Sequence, residues 1–438
     1  MSAQPDSPEA CLWHATADET FSSETLKDDQ TADLIIIGGG ILGLSTALHA
    51  ARGGLNTVLL EASVIGAGAS GRNGGLVVPS LPRVGPIQAK AALGPAGERL
   101  VDMIANGARY VFDLIAEHKI ACDAVPSGWL HPAHAASLVP KLQARMAEWQ
   151  SAGASLTWLD AEEARDRIGS KRFHGAILDR TGGHLNPLAY SRGLARAATE
   201  AGALIHERSP VTSLKRHDGM WRVATAAGSA TAPLVIQATN AQVPGLGTRT
   251  GKTVSRSTLP LTVYQMATAP LSDAVRASLL PGRESLSDTR NNLFAIRWTA
   301  DHRLVIGGMP FFTQADGARR VARSAIRRLN ELFPQLALDQ MEYVWRGQAT
   351  LTGDFLPRLF QPAEGWLAPI ACNGRGIVLT TALGRALAKF AADGNKSTLP
   401  LPLSTPRPIR SRSVAKLAPQ LLLPLGAIAD RRAERRPA

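Results

Sequence analysis

The sequence predicts an α/β protein of two packed domains, and three observations lead there. At 438 residues the chain is longer than one ordinary hydrophobic core can enclose. An apolar run, a glycine cluster, a helical pattern and a second apolar run follow in order between Leu34 and Glu61, the succession of a parallel βαβ unit. Hydrophobic residues make up 45% and charged residues 19%, a balance that builds cores and excludes disorder.

Each part of the βαβ unit has a physical task. Leu34-Ile35-Ile36-Ile37 reads as a buried strand, and Gly38-Gly39-Gly40-Ile41-Leu42-Gly43 follows at once. Apolar residues at helical spacing run from Leu44 to Arg52, Gly53-Gly54 ends that helix, and Thr57-Val58-Leu59-Leu60 leads to Glu61. Gly38 permits the tight turn, Gly40 lets backbone approach a pyrophosphate, and Gly43 lets helix and strand pack closely. The helix start at Ile41 and Leu42 offers N–H groups and partial positive charge to phosphates. Glu61 can accept hydrogen bonds from both ribose hydroxyls and would repel a 2′-phosphate. The unit therefore predicts a bound dinucleotide, with NAD and FAD both open on spacing alone.

The next segment, Ala62 to Leu76, is dense in glycine and starts where α/β folds place ligands, at the C-terminal end of a parallel strand. Small residues from Gly66 to Gly71 leave room for a flat ring, whose edge or pyrophosphate backbone N–H groups can contact. Glu61-Ala62-Ser63, followed by Gly68-Ala69-Ser70-Gly71-Arg72-Asn73-Gly74-Gly75, resembles the glycine/D-amino acid oxidase superfamily of FAD enzymes. Within it the similarity is to the gamma-glutamylputrescine oxidase branch, which Leu12-Trp13 ahead of Ala32-Asp33-Leu34 also resembles.

The resemblance covers most of the chain and implies an α+β whole: a Rossmann-type FAD-binding domain interleaved with an antiparallel-sheet substrate domain. The FAD-binding parts would be 31–126, 184–253 and 347–402, and the substrate parts 127–183 and 254–346. An N-terminal extension, 1–30, and a basic Pro/Arg-rich tail, 403–438, would flank them. Beyond the first turn and the Ala62, Ser70, Arg72, Asn73, Gly74, Gly75 and Leu76 loop, the resemblance implies FAD contacts at three further places. These are Val211 at the adenine, Ala238, Thr239 and Asn240 over the dinucleotide, and Gly374, Arg375, Gly376 and Ile377 in a last flavin loop. That last loop makes sense unaided. Its glycines allow close approach, and a helix from Ile377 to Ala392 would aim its N-terminus at the flavin edge where charge collects on reduction.

Three departures matter. Arg375 stands where the family often has His, and Val378 where sarcosine-oxidase relatives carry a carboxylate-binding Lys. Gly347 lies near the position of their flavin-attaching Cys, so FAD should be bound non-covalently.

The chemistry implied is oxidation of a C–N bond in an amine or amino acid. Hydride passes to flavin N5, the imine hydrolyses, and electrons go on to oxygen or a quinone. The amine must react neutral, at a cost of about 4 kcal/mol for a pKa near 10. Apolar and aromatic walls lower that cost by disfavouring the cation. Tyr264, Phe294, Trp298 and Trp345 are candidates for the wall. Arg297 either faces the flavin as a carboxylate clamp or faces solvent. Two rivals stay open: oxidation of a hydroxy-acid or polyol C–O bond, and a structural or RNA-modifying flavoprotein.

Net charge is +12, yet aromatic content is only 5% and no recognition motif accompanies the charge, so no nucleic-acid partner is expected. Three scattered cysteines, Cys11, Cys122 and Cys372, argue against a disulfide framework and for a reducing compartment. No metal site is expected. With no export signal visible, a cytoplasmic setting follows, and the basic tail is a candidate peripheral contact with the inner face of an anionic membrane.

Overall fold

The computed structural model describes residues 6–7, 10–240, 249–292, 294–309, 317–410, 412 and 418–435. Leu34–Ile37 and Thr57–Leu60 are buried parallel neighbours, because continuous apolar runs have no polar face to give to water. They lie in a seven-stranded sheet whose order is Leu403–Ser404, Arg358–Ala363, Trp366–Ile370, Leu234–Gln237, Leu34–Ile37, Thr57–Leu60 and Leu204–His206. Helix Ile41–Arg52 covers one face, packed against Pro187–Glu200 and Gly376–Asp393. The other face meets a four-stranded sheet that the sequence reading did not anticipate, through Leu214, Trp221 and Val223 against Ile35, Val58 and Val235.

A second large sheet has eight strands, in the order Tyr343–Leu351, Leu259–Ala267, Leu304–Gly308, Ala295–Trp298, Ser285–Ser287, Trp129–Pro132, Ala176–Asp179 and Leu156–Leu159. Its pairings are antiparallel except that of Ser285–Ser287 with Trp129–Pro132. Alternation along the strands separates two faces. Tyr264, Met266, Phe294, Ile296, Trp298, Leu304 and Ile306 build a core with Val321, Ala325 and Leu329 of helix Gly317–Leu332. Ala267, Val305 and Trp345 pack instead with Leu12, Trp13 and Leu188, so this face meets the parallel-sheet half.

The N-terminal segment is built in rather than appended. Ser23 N–H donates to Glu207, Leu26 N–H donates to Ser209 Oγ, and Glu19 pairs with Arg196. At the other end, Ala418–Glu434 is one helix despite Pro424 inside it. This tail helix docks beside the eight-stranded sheet: Asp430 accepts from Asn291, and Glu434 pairs with Arg290. Among the described residues no helix is long and apolar enough to cross a membrane.

Candidate active site

The glycine turn and Glu61 meet at the C-terminal edge of the seven-stranded sheet. Glu61 Oε2 accepts from Gly39 N–H at 2.7 Å and Oε1 from Ser63 N–H at 2.9 Å, which fixes the carboxylate beside the turn. Ser70 Oγ accepts from Ile41 N–H at 3.0 Å, so its own hydroxyl proton is available at the helix start. A Cβ at Gly43 would lie 2.1 Å from Gly38 O, and only glycine lets helix and strand approach this closely. Ser209 N–H donates to Glu61 O and brings the segment before Val211 alongside. A carboxylate set beside a glycine turn, a hydroxyl at the helix start and a side-chain-free approach together fit FAD.

The second part is the loop Arg72-Asn73-Gly74-Gly75, and its carbonyls are held one by one. Trp345 Nε1 donates to Arg72 O at 2.9 Å, Trp13 Nε1 to Asn73 O at 2.8 Å, and Arg297 Nε to Gly74 O at 2.8 Å. Leu185 N–H takes Gly75 O at 2.9 Å. Every described peptide is trans, so carbonyls drawn to one side turn the N–H groups of Asn73 and Gly74 to the other. The three donors also touch one another. The Arg297 guanidinium lies 4.5 Å from the Trp13 ring centroid, and Trp13 meets Trp345 edge-on at 5.5 Å. Gly75, at φ +77°, has no room for a side chain, because a Cβ there would stand 2.0 Å from Leu185 O.

These contacts give Arg297 and Trp345 a place other than the one expected from sequence. Arg297 is neither a free carboxylate clamp nor a solvated arginine. It is buried, with Nη1 on Trp298 O and Nη2 on Leu185 O besides its bond to Gly74. Burial pulls its pKa down to about 9, offset in part by Asp123. Trp345 is fully buried and spends its N–H on the loop. Tyr264, Phe294 and Trp298 lie on the opposite face of the sheet, in its own core. The residue beside Tyr264 on the loop side is Gln265, whose Oε1 would be 3.0 Å from a Cβ at Gly74.

The third part closes over the first. Ala238 N–H continues the strand pairing to Ile37 O, Gln237 Nε2 donates to Thr239 Oγ1, and Asn240 Oδ1 accepts from Ala371 N–H at 3.1 Å. Ala371 and Asn373 both have positive φ, a backbone strain that the Asn373 side chain supports by accepting from Thr352 N–H and donating to Ala371 O. Helix Gly376–Asp393 starts directly after Arg375, one residue earlier than expected. Val378 is buried, and a Cβ on Gly107 of the long helix Pro95–Glu117 would meet it at 2.5 Å.

Sequence reasoning missed one group here. The Arg375 guanidinium lies over the Trp129 ring at 5.0 Å, and Trp129 stacks on His131. Arg145, from helix Val139–Ser151, donates to Leu81 O at 2.5 Å, as Arg375 Nη1 also does at 3.3 Å. Nothing local marks Arg145: its helix reads as an ordinary amphipathic surface element.

A parallel sheet with a glycine turn and a carboxylate, joined to a mixed sheet that grips the flavin-side loop, defines a flavoprotein oxidoreductase. The comparisons name the family. The family described as FAD dependent oxidoreductase, DAO, matches residues 33–390. The chain is 33% identical over 377 residues to "Gamma-glutamylputrescine oxidoreductase" of Escherichia coli (strain K12), covering 86% of this chain and 87% of that one. It is 31% identical to "Probable oxidoreductase OrdL" of Rhizobium meliloti (strain 1021), over 88% of this chain and 89% of that one. Among solved structures, L-proline dehydrogenase from P. horikoshii shares the fold with a TM-score of 0.71 at 17% identity, covering 85% of this chain and 96% of that one. Glycine oxidase from Geobacillus kaustophilus does so at 0.67 and 22%, covering 84% of this chain and 95% of that one. The chain belongs to the DAO family of FAD-dependent oxidoreductases, and its reaction class is oxidation of a C–N bond.

Proposed function

We propose that this protein oxidises an amine bearing no free carboxylate on the reacting carbon, with oxygen or a quinone as final electron acceptor. One observation carries the reading: neither Arg297 nor position 378 is available to such a carboxylate. Arg297 has all three nitrogens on backbone carbonyls, and Val378 is buried against the long helix. A carboxylate placed there without a partner would cost several kcal/mol, roughly 2 or more even after relaxation. Similarity to a protein named for gamma-glutamylputrescine supports an acylated diamine.

Bound FAD supplies a two-electron acceptor for the hydride leaving the carbon next to nitrogen. Glu61 would hold the adenosine ribose through the lone pairs not used by Gly39 and Ser63. Gly40, Ile41, Leu42 and the Ser70 hydroxyl would face the pyrophosphate, and Val211 the adenine. The N–H groups of Asn73 and Gly74 would meet one flavin edge, and Gly374 to Ile377 the other. The same reading assigns 31–126, 184–253 and 347–402 to the FAD domain, with strand Tyr343–Leu351 crossing the last boundary. Leu425 and Ile428 stay exposed on the docked tail helix beside Arg431 and Arg432, which supports a peripheral contact with an anionic bilayer.

The test is anaerobic flavin reduction by sarcosine and D-alanine set against putrescine and its acylated forms. Faster reduction by the diamines is expected, and fastest reduction by the amino acids would overturn the reading.

A further inference from the structure

The face of the eight-stranded sheet that meets the flavin-side loop carries an unspent amide. Strand register sets Trp345, Gln265, Gly307, Ala295 and Ser287 side by side across five strands, and residues opposed in this way share a face. Trp345 gives its N–H to Arg72 O, and Ser287 Oγ accepts from Trp129 Nε1 at 2.8 Å. Gly307 brings no side chain and Ala295 a single methyl, so the middle of the row is shallow. Gln265 is only 8% exposed, yet among the described residues its amide has no hydrogen-bond partner. Asn292 Oδ1 and His184 Nδ1 are sealed in the interior without partners, whereas the Gln265 amide keeps an opening. A nearly buried amide with neither end paired is a group waiting for a ligand.

Its place is beside the loop. Gln265 Oε1 would stand 3.0 Å from a Cβ at Gly74, with Leu76 flanking the same spot at 3.2 Å. Because Trp13 holds Asn73 O, the N–H of the same peptide, that of Gly74, turns to the far side, toward the flavin edge assigned to this loop. The start of helix Gly376–Asp393 suits the N1 and C2 carbonyl edge, where charge collects on reduction. That leaves the N5 and C4 carbonyl edge to the loop, and Gln265 stands next to it. The nearest cation of the same sheet face, Arg297, is spent on Gly74 O, Trp298 O and Leu185 O.

We propose that Gln265 binds the reacting amino group of the substrate, its Oε1 accepting one amine N–H. The inference rests on the amine-oxidation reading and deepens it by naming the group that orients the nitrogen. Neither end of the amide is anchored, so its oxygen can turn to the amine. A hydrogen bond through N–H leaves the nitrogen lone pair free to form the C=N bond as the C–H bond breaks. The hydrogen and both electrons of that bond pass to flavin N5, and the positive charge left on nitrogen strengthens the same hydrogen bond. An uncharged acceptor suits this step, because a carboxylate in its place would hold the amine in the protonated, unreactive form.

The experiment uses the FAD-loaded full chain at about pH 8. Its probes are N-acetylputrescine and tert-butylamine, which has no hydrogen on the carbon bearing nitrogen and can only bind. Gln265→Leu should raise the half-saturating concentration of N-acetylputrescine in anaerobic flavin reduction about 5- to 30-fold and lower the limiting rate. Gln265→Met serves if the leucine variant does not fold. Gln265→Glu should split the two constants. Half-saturation falls about threefold or more as the carboxylate holds the ammonium, and the limiting rate falls about 10-fold or more as the amine stays protonated. The FAD dissociation constant should stay within about threefold of wild type in every variant. Reduction constants within about twofold of wild type in the leucine variant overturn the assignment. So does a glutamate variant whose two constants worsen together, or a loss confined to FAD affinity. If no amine reduces the wild-type flavin, the amine-oxidation reading fails on its own, and tert-butylamine then decides Gln265. It should perturb the flavin absorbance of the wild type at a concentration about 5- to 30-fold lower than in the leucine variant. Equal perturbation in the two, or none in either, overturns the contact.

Discussion

Trp13 Nε1 donates to Asn73 O at 2.8 Å, tying the N-terminal helix to the glycine-dense loop 60 positions later. Together with Trp345 on Arg72 O and Arg297 on Gly74 O, it leaves that loop one orientation of its peptide planes. Trp13→Phe keeps the ring against Arg297 and removes the bond, leaving a carbonyl unsatisfied. The variant should lose about 1–2 kcal/mol of stability and bind FAD more weakly. Thermal melting and FAD titration of the apoprotein measure both, and an unaltered FAD affinity would mean that the loop does not need the clamp.

Glu61 is expected to hold the ribose, with Gly39 and Ser63 fixing its direction. Glu61→Ala should weaken FAD binding by about 1.5–3 kcal/mol, the range for hydrogen bonds to a charged group. Equilibrium dialysis decides it, and an unchanged dissociation constant removes Glu61 from the site.

The parallel half was legible in the sequence because it is local: strand, turn, helix and acid all fall between Leu34 and Glu61. The seam between the halves was not. Tyr264 and Trp345 were read as one wall, yet they lie on opposite faces, because Trp345 stands opposite Gln265 in the strand pairing. That register is set between two distant strands and leaves no trace in either one. Arg297 was weighed as clamp or solvated side chain, and its actual partners, Gly74 O and Leu185 O, are 223 and 112 positions away. Arg145 was invisible for the same reason, as its partner Leu81 is 64 positions distant.

With Gly347 packed beside Arg72 and offering no thiol there, FAD should be held without a covalent bond. Acid precipitation should release all the yellow colour into the supernatant. Colour retained in the pellet contradicts this.

His131 responds to pH with a definite sign. Burial, and after it Arg375, hold its pKa near 3 instead of the ordinary 6.5. The unfolded chain therefore takes up the proton first, so stability from this group is full above 6.5 and is lost as pH falls toward 3. Denaturant unfolding at about pH 7 and about pH 5 should show a loss in the wild type that exceeds that of His131→Gln by about 1–2 kcal/mol. Equal losses would show that the imidazole is protonated in the folded protein.

Asp430 docks the tail by accepting from Asn291 N–H and Nδ2, the latter at 2.7 Å. Asp430→Ala should make the tail cleavable under limited proteolysis while leaving anaerobic flavin reduction within about twofold of wild type. A matching loss of flavin reduction would make the tail part of the active structure.

The most direct measurement of C–N oxidation is stoichiometric: one anaerobic turnover of the FAD-loaded protein with an acylated diamine, quenched and assayed for flavin, carbonyl and ammonia. The account predicts that each flavin reduced is matched by one aldehyde and one ammonia, since hydride leaves the carbon bearing nitrogen and water completes the imine's hydrolysis. Flavin that stays oxidised with every amine, but is reduced by a hydroxy acid or polyol without release of ammonia, would contradict it.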